Sequence, residues 1–202
     1  MRNFLERVIR KIKWKLRPNR VVPSAPEKRT IIEDNRRKYA PATFVETGTF
    51  LGDTVDYFKE KFGSITSIEL SEKLAARAQK RFAGYDHIKV IQGDSSIVLP
   101  AVLAGINSTV LFWLDGHYSS EFFVNDEYIL TARGEKKTPI EKELDVILKA
   151  PIRSIILVDD ARLFTGKDDY PTIQAIRKRV KRINNSYRIF VKKDIIHIVP
   201  NS

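Results

Sequence analysis

Cysteine is absent from the 202-residue chain, which excludes disulfides and thiolate metal sites and fits a reducing compartment. No apolar run is long enough to span a bilayer. Charges interrupt every apolar stretch near the N-terminus, so the first residues do not read as a secretory signal. Two nucleotide signatures are missing as well. The segment "FVETGTFLGDTV" reads as a strand, a turn and a helix, yet it holds only Gly48 and Gly52 where a dinucleotide site needs G-x-G-x-x-G. No Gly-Lys-Ser/Thr follows, which excludes a P-loop.

The chain has 43% hydrophobic residues, enough for one folded domain with a sizeable core. Its formal net charge is +11, unevenly spread. Residues 1–20 carry Arg2, Arg7, Arg10, Lys11, Lys13, Lys15, Arg17 and Arg20 against Glu6 alone, and a second basic cluster runs from Arg177 to Arg182. The centre is nearly balanced. The pattern predicts a neutral body (42–202) behind a basic leader (1–41). In the leader, Leu5, Ile9, Ile12 and Leu16 recur at helical spacing up to Pro18. "RPNRVVPSAPEK" then reads as a linker, and a short basic helix over 29–38 leads into the body.

From Ala42 strands and helices alternate. The expected strands are "TFVE", "SITSIEL", "IKVIQGD", "TVLFWLD" and "RSIILVDD", with helices over 53–62, 72–82, 96–103 and 138–150 and one from Asp169 or Tyr170 to Ile183. "RIFVKK" and "IIHIVP" flank Asp194 as a closing hairpin. The alternation predicts a Rossmann-like, doubly wound, seven-stranded and mostly parallel sheet with a C-terminal antiparallel hairpin.

Ligands on such sheets bind at the carboxyl ends of the strands. Here those ends are Glu46, Glu69, Asp94, Asp115 and Asp159, and every one is acidic. A carboxylate at Glu46 repels phosphate but suits a ligand with an ammonium or sulfonium, such as S-adenosylmethionine. Glu69 is then placed to accept both ribose hydroxyl hydrogens, and Asp94 to reach the adenine amine. Taken singly each has a plainer reading: Glu46 at a helix start, Glu69 as a solvated strand end, Asp94 as an N-cap. Their joint occurrence at three consecutive strand ends favours the cofactor, with Gly48 and Gly52 as loop positions beside it.

"VETGTFLG", "SIEL" and "IQGDS" resemble the successive motifs of class I S-adenosylmethionine-dependent methyltransferases. "FWLDGHYS", "TPIEKELDVIL", "ILVDDARLF" and "DYPTI" resemble the group that includes macrocin O-methyltransferase and cephalosporin hydroxylase-like proteins. The resemblance implies O-methylation of a sugar or other small hydroxylated substrate. It also implies a divalent ion, magnesium first, on Asp115, Asp159 and Asp160. Crowded carboxylates need neutralising in any case, and hard oxygen ligands suit magnesium, calcium or manganese. The alternative is that Asp160 caps a turn and Asp159 pairs with Arg162. His117 stands where some relatives have another acid. Beside Asp115 it is the candidate catalytic base, or else a histidine that only bonds within its loop. "YSSEFFVNDEYILTARGEKKT" reads as an insertion that can form a lid or a substrate wall.

Two further functions compete. The basic segments suggest an RNA methyltransferase, against which stand the lack of a separate RNA-binding module and of an Asn-Pro-Pro-Tyr-like amine site after the fourth strand. A non-catalytic cofactor-fold protein acting through its leader is the other, and intact acidic strand ends weigh against it. The stripe of residues 1–20 is expected to lie on an anionic membrane, placing a cytoplasmic protein at the inner face. The body or a second subunit, in a homo-oligomer, are alternative partners for that stripe.

Overall fold

A computed structural model describes residues 22–116, 121–124, 127–130 and 138–201. The expected leader helix and His117 lie outside them. Helix α1 (Ala25–Tyr39) starts earlier than the sequence suggests, because Ser24 and Glu27 form a capping box and Pro26 sits harmlessly in the first turn. It is followed by β1 (Thr43–Thr47), α2 (Asp53–Phe58), β2 (Ser64–Glu69), α3 (Glu72–Phe82), β3 (Ile88–Gln92) and α4 (Ser95–Ala104). Then come β4 (Val110–Leu114), a hairpin of β5 (Glu121–Val124) and β6 (Glu127–Leu130), α5 (Ile140–Lys149), β7 (Ser154–Val158), α6 (Ile173–Ile183), β8 (Tyr187–Lys192) and β9 (Ile195–Pro200).

Seven strands form one sheet in the order β3-β2-β1-β4-β7-β9-β8. The first five are parallel, and β9 enters antiparallel between β7 and β8. The turn between β8 and β9 is Lys193–Asp194, both at positive φ, the backbone that a two-residue hairpin requires. Strand order reverses between β1 and β4, which opens a crevice at their carboxyl ends.

Two further boundaries shift. Helix α2 stops at Phe58, and a turn from Lys61 N to Phe58 O brings Phe62 into the core. Helix α6 starts at Ile173 rather than near Tyr170, because the Thr172 hydroxyl accepts from Ala175 N at 3.0 Å and fixes the first turn there. The insertion after β4 contains the β5–β6 hairpin, antiparallel and outside the main sheet.

Alternation along the strands divides the core. Val45, Phe112, Leu114, Ile156 and Val158 pack against α4, α5 and α6. Phe44, Leu111, Trp113, Ile155 and Leu157 pack on the other face with Ile31 and Ile32 of α1, Val55 and Phe58 of α2, and Ala78 and Phe82 of α3. So α1, which the sequence groups with the leader, contributes side chains to the core. Ile32 is 1% exposed. Ile32→Ala is expected to cost about 2–5 kcal/mol of unfolding free energy, measured by denaturant titration. A cost near zero would mean that α1 does not hold to the sheet.

Candidate functional site

Register places the acidic groups together. Thr47 pairs with Ile68 and with Leu114, and Leu114 pairs with Val158. The next residue of each chain therefore falls in one row across the sheet: Glu69, Gly48, Asp115 and Asp159. Glu46 lies two residues beneath, opposite Ser67 and Trp113. Strand alternation carries Glu46, Glu69, Asp115 and Asp159 towards the face covered by α1, α2 and α3.

The loop after β1 is held by the chain itself. Gly48 has φ +86°, and a Cβ there would lie 2.6 Å from the Asp115 carbonyl oxygen. Its N–H donates to Ile68 O at 2.9 Å, while Asp115 N donates to Thr47 O at 3.0 Å, so the ends of β1, β2 and β4 are tied across the crevice. Gly52 has φ +81°, and a Cβ there would meet the Phe82 ring at 2.9 Å. Both glycines are thus required for close approach within the protein, whatever they also do for a ligand.

Glu69 is buried rather than solvated. Its Oε2 accepts from Phe50 N at 2.8 Å and its Oε1 from Ser71 N at 2.9 Å. The backbone N–H groups of Leu70 and Thr49 also bear on this carboxylate, against the burial that raises its pKa. Glu46 is 1% exposed and accepts from Ser67 Oγ at 2.6 Å; Ser67 Oγ in turn lies 2.6 Å from Thr49 Oγ1. Burial pushes its carboxyl up to about 8, with Asp115 and Glu69 adding to the rise against the Ser67 and Thr54 hydroxyls. Asp94 takes the plainer of its two roles as well: it is the N-cap of α4 and accepts from Ser96 N at 2.8 Å through Oδ1.

The other face holds a buried polar group that sequence reasoning missed. Glu143 of α5 is 1% exposed and accepts from Ser95 Oγ at 2.6 Å. Burial raises it to about 7. Its Oε1 and Thr47 Oγ1 both stand against Gly116, where a Cβ would be 3.6 Å and 3.0 Å from them. Thr47 Oγ1 is fully buried, and with Ser95 it opposes the rise of the Glu143 carboxyl. The available signal was Glu143 in "PIEKELDVIL", on the same helical stripe as Ile140, Leu144 and Ile147.

The structure does not support the metal set expected from Asp115, Asp159 and Asp160. Lys28 Nζ bonds Asp159 Oδ2 and lies 3.9 Å from Asp160 Oδ1. Asp159 Oδ1 accepts from Asp160 N at 2.7 Å. Arg162 Nη1 bonds both Asp160 Oδ1 and Asp194 Oδ2. Among the described residues no group of His, Asp or Glu stands ready to hold an ion. The anticipated alternative is also revised: Asp159 pairs with Lys28, and it is Asp160 that pairs with Arg162. Burial, then Asp115 and Asp160, push the Asp159 carboxyl upward against the pull of Lys28. Burial opposes the Lys28 charge, but Asp159, Asp115 and Asp160 together raise its pKa. The ammonium therefore stays charged.

No protein-family model matches the sequence, and no curated protein sequence matches it. Solved structures do match in shape. The S-adenosylhomocysteine-bound methyltransferase PaMTH1 of Podospora anserina is 16% identical, with TM-score 0.59 over 90% of this chain and 81% of its own. The O-methyltransferase TomG of Streptomyces achromogenes, involved in tomaymycin synthesis and solved with S-adenosylmethionine, is 17% identical, with TM-score 0.56 over 91% and 83%. An O-methyltransferase from Bacillus cereus, solved with S-adenosylhomocysteine, is 15% identical, with TM-score 0.57 over 96% and 90%. The fold is that of class I S-adenosylmethionine-dependent methyltransferases. The acidic row and the Gly48 loop lie at the carboxyl ends of the strands of this fold.

The residues suit such a cofactor. A buried Glu46 whose partners are hydroxyls is matched by a cationic ligand. Without a ligand, Glu46 makes stability pH-dependent. Its folded pKa lies above the ordinary 4.5, so its contribution is fully present below about 4.5 and is lost as pH rises through about 8. Glu143 adds in the same direction. The melting temperature of the ligand-free protein is expected to fall from pH 6 to pH 9. Glu46→Gln should flatten that fall, gaining on wild type at pH 9 and not at pH 5. Parallel melting curves of the two proteins across this range would show that Glu46 is not held neutral.

Proposed function

We propose that the chain is an S-adenosylmethionine-dependent methyltransferase acting on a small hydroxylated acceptor, with a sugar as the first candidate. One observation carries this reading: Glu69 and Asp115 flank Gly48 in one row at the switch point of the sheet, with Glu46 buried beneath them. Structures of the same fold with S-adenosylmethionine or S-adenosylhomocysteine bound support it, and O-methyltransferases are among them.

Glu69 is assigned to the ribose hydroxyls. Glu46 faces the cationic methionine end, and the Gly48–Gly52 loop carries the backbone beside it. Asp94 keeps Oδ1 for its cap and is assigned to the adenine amine through Oδ2. When bound, the cofactor supplies an electrophilic methyl on a sulfonium. Asp115 orients the acceptor hydroxyl, and His117 receives its proton, the task suited to a near-neutral base. Magnesium has no step in this reading.

Among the described residues no helix is long and apolar enough to cross a membrane. Residues 1–20 are proposed to rest on anionic lipid at the inner face of the membrane of a cytoplasmic protein. Liposome flotation of the full chain against a chain lacking residues 1–20 tests this, with loss of flotation expected in the shorter chain. Equal flotation would assign the stripe to protein packing.

Calorimetry with S-adenosylhomocysteine tests the cofactor. The wild type is expected to bind. Glu69→Ala, which loses charge-assisted hydrogen bonds, should weaken affinity by at least about tenfold. No binding by the wild type, or equal affinity in the variant, would overturn the reading. A mass-spectrometric screen for methyl transfer to nucleotide sugars and glycans, with and without magnesium, then seeks the acceptor.

A further inference from the structure

We infer that Lys28 is the resident cation of the acceptor side, standing where the resemblance puts a divalent ion, and that the site works without a metal. The inference deepens the methyltransferase reading and rests on it for the reaction, while the geometry stands by itself.

Lys28 is delivered by a fixed element. Ser24 N and Ser24 Oγ both lie 2.7 Å from Glu27 Oε2, which closes the start of α1. One turn further on, Ile31 and Ile32 anchor the helix in the core. Arg29 Nη2 donates to Asp53 O at 3.3 Å and its guanidinium lies over the Tyr57 ring, so α1 is also tied to α2. Three and four residues before them, Lys28 shares the inward face with these isoleucines. Its side chain is 23% exposed and ends on Asp159, whose side chain is fully buried. Asp115 and Asp159 in turn reach the α1 face because strand alternation turns them there.

Cationic side chains already stand on Asp159 and Asp160, two of the three carboxylates an ion would need. Both oxygens of Asp159 accept, one from Lys28 Nζ and one from Asp160 N. Asp160 Oδ1 takes Arg162, which the β8–β9 turn locks in place: Arg162 N donates to Asp194 Oδ1 at 2.8 Å, and Ala161 N to Asp194 O at 2.7 Å. Magnesium demands oxygens at about 2.0–2.1 Å in a near-octahedral shell. It could take these carboxylates only by expelling two cations that the fold has fastened. An ammonium carries three donors. With one on Asp159, Lys28 has N–H groups to stabilise an acceptor oxygen as its proton leaves, the electrostatic task otherwise given to a metal.

The test is a Mn²⁺ titration followed by electron paramagnetic resonance, with S-adenosylhomocysteine present, on wild type, Lys28→Arg, Lys28→Met and Lys28→Gln. Wild type and Lys28→Arg are expected to leave Mn²⁺ free up to about 1 mM. The two neutral variants, which expose the carboxylates, should bind it at least about tenfold more tightly. Wild-type binding as tight as that of the neutral variants would overturn the inference, and so would the lack of any gain in both. If neither neutral variant folds, the wild type decides: bound Mn²⁺ overturns the inference and free Mn²⁺ upholds it. S-adenosylhomocysteine that binds none of these proteins would instead sink the methyltransferase reading and leave the Mn²⁺ result standing.

Discussion

The central strands β1, β4 and β7 are buried along their whole length on both faces, and this leaves their charged groups only one way out. An ion inside such a strand would lose its hydration with nothing to replace it. The strands are parallel and in register, so the first positions that can carry charge fall in one row at one edge. Glu69, Asp115 and Asp159 fill that row, and the reversal of strand order between β1 and β4 opens the space in front of it. The location of the site is therefore a consequence of how the core is built. Its chemistry comes from what stands at those few ends.

A row of carboxylates cannot remain uncompensated, and the fold answers with two cations from opposite ends of the chain. Lys28 arrives on α1 before the first strand, and Arg162 follows β7 and is gripped by the last hairpin through Asp194. Asp160 accepts the left-handed backbone, at φ 57°, that turns its carboxylate to Arg162. A short polar side chain tolerates that conformation better than a branched one would. The termini of the described chain thus meet over the site, and the helix and hairpin that look peripheral in sequence set the charge seen by an acceptor.

The legible part of this protein is what local pattern controls. Apolar runs ending in an acid mark β1, β2, β4 and β7, and with them Glu46, Glu69, Asp115 and Asp159. Ser71 at the start of α3 could be read directly, since a cap acts within one turn; its hydroxyl accepts from Leu74 N. Partners chosen over long separations were not legible. Lys28 and Asp159 are 131 residues apart, and nothing in "APEKRTII" distinguishes that lysine from its basic neighbours. Ser95 and Glu143 are 48 residues apart, and only the acid on an apolar stripe hinted at their contact. Proline misled at α1, where Pro26 suggested a linker although a first-turn proline costs a helix nothing. Gly48 and Gly52 read in sequence as loop positions beside a cofactor, and their tertiary contacts with Asp115 and Phe82 were not legible there.

Two buried carboxyls of opposite faces, Glu46 and Glu143, sit behind the row and are held by hydroxyls. Neither could be kept charged there without a cation, because burial is the first cause of the rise in both. A ligand whose positive end settles near Glu46 would supply that cation and pull its pKa down. Near neutral pH the carboxyl would then release a proton as the ligand binds. Binding would tighten with rising pH over the same range in which the ligand-free protein loses stability. By mass action, a ligand that prefers the folded state offsets such a loss in proportion to the logarithm of its concentration. The buried acid beneath the crevice is thus unfavourable in the empty protein and favourable in the loaded one. That difference in free energy between the two states is available for selecting a cationic ligand over an uncharged one of the same shape.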